Sequence, residues 1–287
     1  MDKLRSIDIK AWTKVGEGGN GSTYENPSQP DVLLKLNRPR RNGFDIVRHE
    51  FEVSKAVEGV GLSTPRMIEM VRVEDAFATI SERIKEKRSL SRICHDEPQR
   101  TEEMARVLSQ EGKKLFGTPC DTTLFPSRKE QVLDQIDKVS FLSRKNRRLI
   151  RAFAETISES DRCVHGDFQP GNIIRSDGRY YWIDLDRFAH GDPMFDIGHL
   201  FLICHQYASM KRVQDLFHMT QEQLHRFWDA FVKDFSGKDD CREFEHLAGR
   251  FACLDIVLRC CFDAPSFAQN IFFGIICRGL VKAYFRE

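Results

Sequence analysis

Over residues 1–80 the chain alternates short apolar stretches with turn residues, whereas beyond about residue 86 its apolar positions recur every three or four residues. The first rhythm is that of strands and the second that of helices packed on a core. Residues 12–24 read as two extended stretches around a glycine cluster, followed by the turn Asn26-Pro27-Ser28-Gln29-Pro30 and a strand over residues 31–36. This order predicts a hairpin feeding a third strand. Residues 44–57 read as a helix ended by Gly59 and Gly61, with Ile46, Val47, Phe51, Val53 and Val57 on one broad side. Glu50 falls near the middle of that side and Glu52 points away. A carboxylate on an inward face requires a cationic partner. Strands are predicted at residues 67–71 and 76–80, and helices at 101–116 and 129–138. Thr220 and Gln223 form a capping box, with Met219 and Leu224 placed as its staple. The stripe Leu224, Phe227, Trp228, Phe231, Val232 is read as core packing, the usual role of an amphipathic face. The change of rhythm near residues 81–85 divides a small strand-rich lobe, residues 1–84, from a larger helical one, residues 85–287.

Composition narrows the partners. The 287 residues carry 44 basic and 43 acidic side chains, a formal net charge of +1, with no block of like charge that would serve as a nucleic-acid arm. The opening residues interleave charges with apolar positions, and no apolar run approaches the roughly 20 residues of a membrane span. Nine cysteines lie scattered without a repeated C-x-x-C, and Cys260 and Cys261 are adjacent on an apolar helix. Reduced, mostly buried thiols in a cytoplasmic protein are expected, not a zinc site.

The chemistry-bearing segment is Cys163-Val164-His165-Gly166-Asp167-Phe168-Gln169-Pro170-Gly171-Asn172-Ile173-Ile174. Apolar residues flank a polar loop that presents an aspartate and, five residues on, an asparagine. Phosphoryl transfer uses such a pair, with Asp167 accepting a hydroxyl proton and Asn172 offering its amide oxygen to magnesium. Downstream, Ser176-Asp177-Gly178 predicts a turn, and a strand then runs to Asp184, so that a hairpin would carry Asp184 back toward Asn172. Magnesium takes oxygen ligands, often one or two carboxylates plus phosphates, and Asp184 with Asn172 suits it. Gly16-Glu17-Gly18-Gly19-Asn20-Gly21 satisfies G-x-G-x-x-G, a weak pattern in isolation. A dinucleotide fold would follow it with a helix. Here Ser22-Thr23-Tyr24, a proline turn and a strand follow, which favours a hairpin over phosphates and places Lys35 to contact them and to pair with Glu50.

Taken in order, Gly16 to Gly21, Lys35, Glu50, His165-Gly166-Asp167-Phe168-Gln169-Pro170-Gly171-Asn172, Ile183-Asp184 and Gly191-Asp192-Pro193-Met194-Phe195-Asp196 resemble the aminoglycoside phosphotransferase and choline kinase-like family over nearly the whole chain. The resemblance implies an α+β, protein kinase-like fold of two lobes. One is a small antiparallel-sheet lobe with one helix, the other a larger, mainly helical lobe. It also implies ATP or GTP as donor, Mg2+ as cofactor and a small-molecule hydroxyl as acceptor, in a monomer or weak homodimer. By position, Gly16, Gly18, Gly19, Asn20 and Gly21 would cover the donor phosphates, Lys35 would hold them, and Glu50 would orient Lys35. Asp167 would be the base, with Asn172 and Asp184 the magnesium ligands. Residues 81–84 would form the hinge, where Glu82 and Ile84 meet the nucleotide base. Two departures stand out. Asp184-Leu185-Asp186 replaces the Asp-Phe-Gly of protein kinases, and Leu115-Phe116 replaces a Leu-His of many relatives.

Plainer roles compete with these. Asp167 alone could cap a loop, and Lys35 could guard a sheet edge. His165 and Asp196 are read as braces of the loop, Asp192 as a cap, and Asp186 as either a second metal contact or a solvent-facing carboxylate. A nucleotide-binding pseudokinase would have the same scaffold without catalysis. A protein kinase would need a longer segment between Asp184 and Gly191-Asp192-Pro193.

Overall fold

A computed structural model describes residues 4–17, 21–38, 43–262 and 266–285. The chain forms two compact units, one of residues 1–88 with 174–186, the other of residues 89–173 with 187–287.

The first unit is a six-stranded sheet with one helix. Strands β1 (Arg5–Ser6), β2 (Thr13–Glu17), β3 (Gly21–Asn26) and β4 (Gln29–Asn37) precede helix α1 (Gly43–Val60), and β5 (Met67–Val73) and β6 (Ala76–Glu82) follow it. Their order is β1-β5-β6-β4-β3-β2, antiparallel except where β1 runs parallel to β5. β4 is therefore central, and its side chains alternate between the two faces. Leu34 is fully buried with Val71, Val73, Ala78 and Ile80, against which Trp12, Tyr24 and Leu36 pack. Lys35, one position along, is carried on the opposite face. α1 packs on β5 and β6 through fully buried Val47 and Val57. The helix extends beyond the predicted 44–57 at both ends, and Ile46, expected on its inward side, is 37 % exposed. β1 was not foreseen, since two residues are too few to show alternation.

A hairpin of residues Ile173–Ser176 and Arg179–Trp182 completes this unit. Its turn residues Asp177 (φ 47°) and Gly178 (φ 75°) both have positive φ, as the tight turn of a twisted hairpin requires. The Trp182 N–H donates to the carbonyl of Ser63 at 2.9 Å, and the Ser176 hydroxyl to that of Lys85 at 2.7 Å. These bonds tie the hairpin to the sheet-bearing part of the chain.

The second unit is helical. It contains α2 (Leu90–Asp96), α3 (Thr101–Gly117), α4 (Arg128–Ile136), α5 (Arg144–Thr156), α6 (Met194–Phe201), α7 (Lys211–Phe217), α8 (Gln221–Ser236), α9 (Arg242–Phe262) and α10 (Phe267–Tyr284). The capping box of Thr220 and Gln223 starts α8, and Leu224, Phe227, Trp228, Phe231 and Val232 are all buried. α6 is buried on every side although it carries Asp196 and His199. α6 lies closest to α9 at Gly198, where a Cβ would sit 2.7 Å from the backbone of Phe251 and Ala252. A larger residue there would separate the two helices. Among the described residues no helix is long and apolar enough to cross a membrane.

Candidate active site

In the first unit the site is built around Lys35. Its ammonium lies 2.7 Å from Glu50 Oε1 and 3.2 Å from Asp184 Oδ1. Glu50 is held on α1 with its side chain 13 % exposed, as the inward face demanded, whereas Asp184 is half-exposed. Burial works against the charge on Lys35, but the carboxylates of Asp184 and Glu50 outweigh it and hold the pKa above the ordinary lysine value. Lys35 is thus held as a cation between two carboxylates.

Asp184 follows the hairpin with φ 56°, in the left-handed region that costs a non-glycine residue energy. Aspartate bears this better than most residues, and such conformations concentrate at functional positions. Next to it, the backbone carbonyl of Asp186 accepts from the His49 ring at 2.9 Å.

Of the glycine segment, Gly16 ends a bulged stretch of β2 and Gly21 opens β3. Gly21 has a structural reason to lack a side chain, because a Cβ would lie 2.1 Å from the Leu36 carbonyl oxygen. Gly18, Gly19 and Asn20 lie outside the described residues. At the expected hinge, the Glu82 N–H donates to the Arg66 carbonyl at 2.8 Å and its carboxylate accepts from the Arg66 N–H at 3.2 Å. Glu82 is thus engaged within the sheet, and Ile84 is buried two residues on.

In the second unit a short antiparallel pair, Cys163–Val164 with Ala189–His190, frames the polar loop. Gly166 turns the chain at φ 82°. Asp196 on α6 accepts the N–H groups of both His165 and Gly166, at 2.6 and 2.8 Å. Burial raises the pKa of Asp196 despite these donors and nearby Arg128. Fully buried His165 accepts the Asp167 N–H at Nδ1, 3.3 Å away. Phe168 anchors the loop from beneath, packed on Phe116 and Phe231 with ring centroids 5.2 and 5.9 Å apart. Phe116 is therefore a floor of the loop. Asp192 accepts from the Met194 N–H at 2.8 Å and so starts α6.

Asp167 presents its carboxylate from this loop with 28 % of the side chain exposed. Oδ2 accepts from Asn172 Nδ2 at 2.7 Å, and Oδ1 lies 3.0 Å from His199 Nε2. Burial pushes the Asp167 carboxyl up, but the hydrogen bond and charge of His199, with Arg259 and Arg187, hold it far below the usual carboxylate range. It is ionised and able to accept a hydrogen bond. Asn172 is 4 % exposed and donates its amide nitrogen to Asp167.

Sequence reasoning missed His199 and the two residues behind it, Asp255 and Arg259 on α9. His199 Nδ1 lies 3.1 Å from Asp255 Oδ2, which also accepts from Arg259 Nε at 3.0 Å. A signal was present. Asp196 and His199 are i,i+3 in an otherwise apolar helix, and Asp255 and Arg259 are i,i+4 in another, so each pair shares a face.

The model of the phosphotransferase enzyme family matches residues 16–231. No match is found among curated sequences. The fold is similar to that of a choline/ethanolamine kinase family protein from Mesorhizobium loti (12 % identity, TM-score 0.58, covering 94 % of this chain and 88 % of that one). It is also similar to a thermostable mutant of the aminoglycoside phosphotransferase APH(4)-Ia in ternary complex with AMP-PNP and hygromycin B (14 %, TM-score 0.61, covering 96 % and 94 %). A third similar structure is the GDP and kanamycin complex of APH(2")-IIia (15 %, TM-score 0.55, covering 95 % and 94 %). At such identities the likeness establishes the fold, an α+β fold of the protein kinase-like type.

Proposed function

The chain belongs to the phosphotransferase enzyme family, and from that premise we propose that it moves the terminal phosphate of ATP or GTP to a hydroxyl of a small molecule, in the cytoplasm. Asp167 orients the acceptor hydroxyl and takes its proton. The freed oxygen forms a bond to the terminal phosphorus as the bond to the bridging oxygen breaks, and the nucleoside diphosphate leaves. Lys35 binds the donor phosphates, with Glu50 keeping its ammonium in place when Asp184 turns to other work. Gly16 and Gly21 flank the turn assigned to the phosphates, and Ile84 is assigned to the nucleotide base.

Asn172 and Asp184 are the residues proposed to hold magnesium. Each has an oxygen to offer, because Asn172 donates its amide nitrogen to Asp167 and the Asp184 carboxylate is half-exposed. Both are hard oxygen donors, and magnesium completes its shell with water and phosphate. When bound, the ion neutralises charge on the transferring group. Among the described residues no group of three or more His, Cys, Asp or Glu side chains is placed to hold a metal. Magnesium held by one carboxylate, one amide and its substrate requires no such group.

The carrying observation is Asp167, an ionised and partly exposed carboxylate whose two oxygens are each fixed by a nitrogen donor. That is the equipment of a base, and a pseudokinase would not need it. A panel of hydroxyl metabolites, sugars and amino alcohols, assayed with Mg-ATP and Mg-GTP for nucleoside diphosphate release, tests the proposal. Release above the acceptor-free rate with at least one compound, and a phosphorylated product in the same reaction, is the expected result. Diphosphate release with no acceptor in the panel, or transfer to protein mixtures only, would contradict it.

A further inference from the structure

The carboxyl group of an aspartate rotates easily about its last bond, since that torsion has broad wells. A base that must aim one lone pair at a hydroxyl therefore requires an external hold. Asp167 has two. Asn172, five residues along the same loop, holds Oδ2, and His199 of α6 holds Oδ1 from outside the loop. With both oxygens fixed, rotation of the carboxylate is blocked.

His199 has a scaffold of its own. It is 2 % exposed on a helix with no polar surface, and α9 supplies Asp255 at Nδ1 and Arg259 alongside the ring. Gly198, the preceding residue, lets α6 approach α9 closely enough for that contact. Arg259 Nη2 lies 2.5 Å from Nδ1 and 3.2 Å from Nε2. Two protonation states fit these neighbours. Either the ring is an imidazolium donating to both carboxylates, or it is neutral with Nδ1 accepting from Arg259. Nε2 carries a hydrogen toward Asp167 in both. Each neutral tautomer sets one ring lone pair against a carboxylate, at Asp255 or at Asp167, and the form with hydrogen on Nε2 is favoured because Arg259 donates to Nδ1 at the closer distance. In the imidazolium state, two carboxylates face two cations and the buried cluster is neutral, which removes the cost of leaving one charge unpaired.

We infer that His199 is a positioning residue for phosphoryl transfer: its Nε2–H fixes the aim of the Asp167 carboxylate, and the Asp255–Arg259 pair of α9 fixes His199. This rests on the proposed function and extends it to three residues outside the catalytic loop. The aim of Asp167 is thereby set by the packing of α6 on α9, and the consequence appears in turnover and not in donor binding.

The test compares the native chain with His199→Leu, His199→Gln, Asp255→Asn and the double variant His199→Leu/Asp255→Asn. Acceptor-independent hydrolysis of Mg-ATP and the affinity for Mg-ATP are measured on each. Misaiming a reacting group can cost about 100-fold. His199→Leu is expected to lose about that factor in kcat with Mg-ATP affinity within about twofold of native. His199→Gln, which keeps an N–H donor, is expected to recover to within about tenfold. Asp255→Asn should lose about tenfold alone and add nothing to His199→Leu, because it acts through that residue. If His199→Leu does not fold, Asp255→Asn and His199→Gln carry the test by the same comparison. Full turnover in the folded variants, or losses that multiply in the double variant, would overturn the inference while the native enzyme still turns over. Native release that no acceptor stimulates, or no native turnover at all, would overturn the proposed function and this inference with it.

Discussion

Asn172 donates its side-chain amide to Asp167 twice, to the backbone carbonyl at 2.9 Å and to carboxylate Oδ2 at 2.7 Å. One residue thus locks the loop and half-fixes the Asp167 carboxylate, and on the proposed reading it lends its amide oxygen to the metal. Replacement by alanine removes all three. Asn172→Ala is expected to raise the magnesium concentration for half-maximal activity about 10- to 100-fold, and to lower kcat even at saturating metal. Titration of activity against Mg2+ checks this. A lowered kcat with an unchanged metal requirement would assign Asn172 to the loop alone.

On the proposed reading, Lys35 binds the donor and Glu50 orients Lys35. A charge-assisted hydrogen bond contributes about 1.5–3 kcal/mol, so Lys35→Met is expected to weaken donor binding about 10- to 100-fold. Glu50→Gln should cost less, since Asp184 still contacts the ammonium at 3.2 Å. Calorimetric titration with Mg-ATP measures both.

Asp196 serves stability. Its carboxylate takes two backbone N–H groups in a fully buried position, and Asp196→Ala leaves both without an acceptor. Each unsatisfied group costs about 1–3 kcal/mol, partly offset because the buried charge also disappears. A loss of about 2–3 kcal/mol lowers the melting temperature by about 4–12 °C. Asp196→Asn, which keeps one acceptor oxygen, should fall between the two. Thermal unfolding decides.

The His199 cluster gives a pH signature. Burial lowers the His199 pKa, but Asp255 and Asp167 outweigh it and leave the pKa above the ordinary 6.5. Its stabilisation is then complete below pH 6.5 and fades as pH rises through the folded value. Asp255 runs the other way. Burial would raise it, but Arg259 and His199 hold it below the ordinary 3.8, so its stabilisation is present above that pH and lost on further acidification. Arg259, its pKa raised by Asp255 and Asp167, stays charged throughout. Melting temperature against pH should therefore fall on the alkaline side of 6.5, and His199→Gln should flatten that slope while leaving the part of the acid limb that Arg259 supports. An unchanged alkaline slope in the variant would contradict the assignment.

How far these features could be read from sequence follows from their range along the chain. Glu50 was legible because a helix has a fixed period and its wheel put a carboxylate among valines. Asp167 and Asn172 were legible because they share one loop. The hairpin turn was legible in Asp177-Gly178, whose positive φ values only a few residue types tolerate. Asp255 was not, because it meets His199 across 56 residues and only the packing of α6 on α9 joins them. The outward tilt of Ile46 was hidden for a like reason, since the wheel gives a face but not how far the sheet covers it. Lys35 was expected beside Glu50, and its second contact with Asp184 depended on where the hairpin docks.

The most direct measurement is phosphotransfer by Asp167→Asn beside its affinity for Mg-ATP. The amide keeps the shape and can still meet one of its two donors, but cannot take a proton. Turnover should fall at least about 100-fold, toward the upper end of what a positioned base contributes, with Mg-ATP affinity within about threefold of native. Native turnover in the folded Asp167→Asn protein would contradict the account.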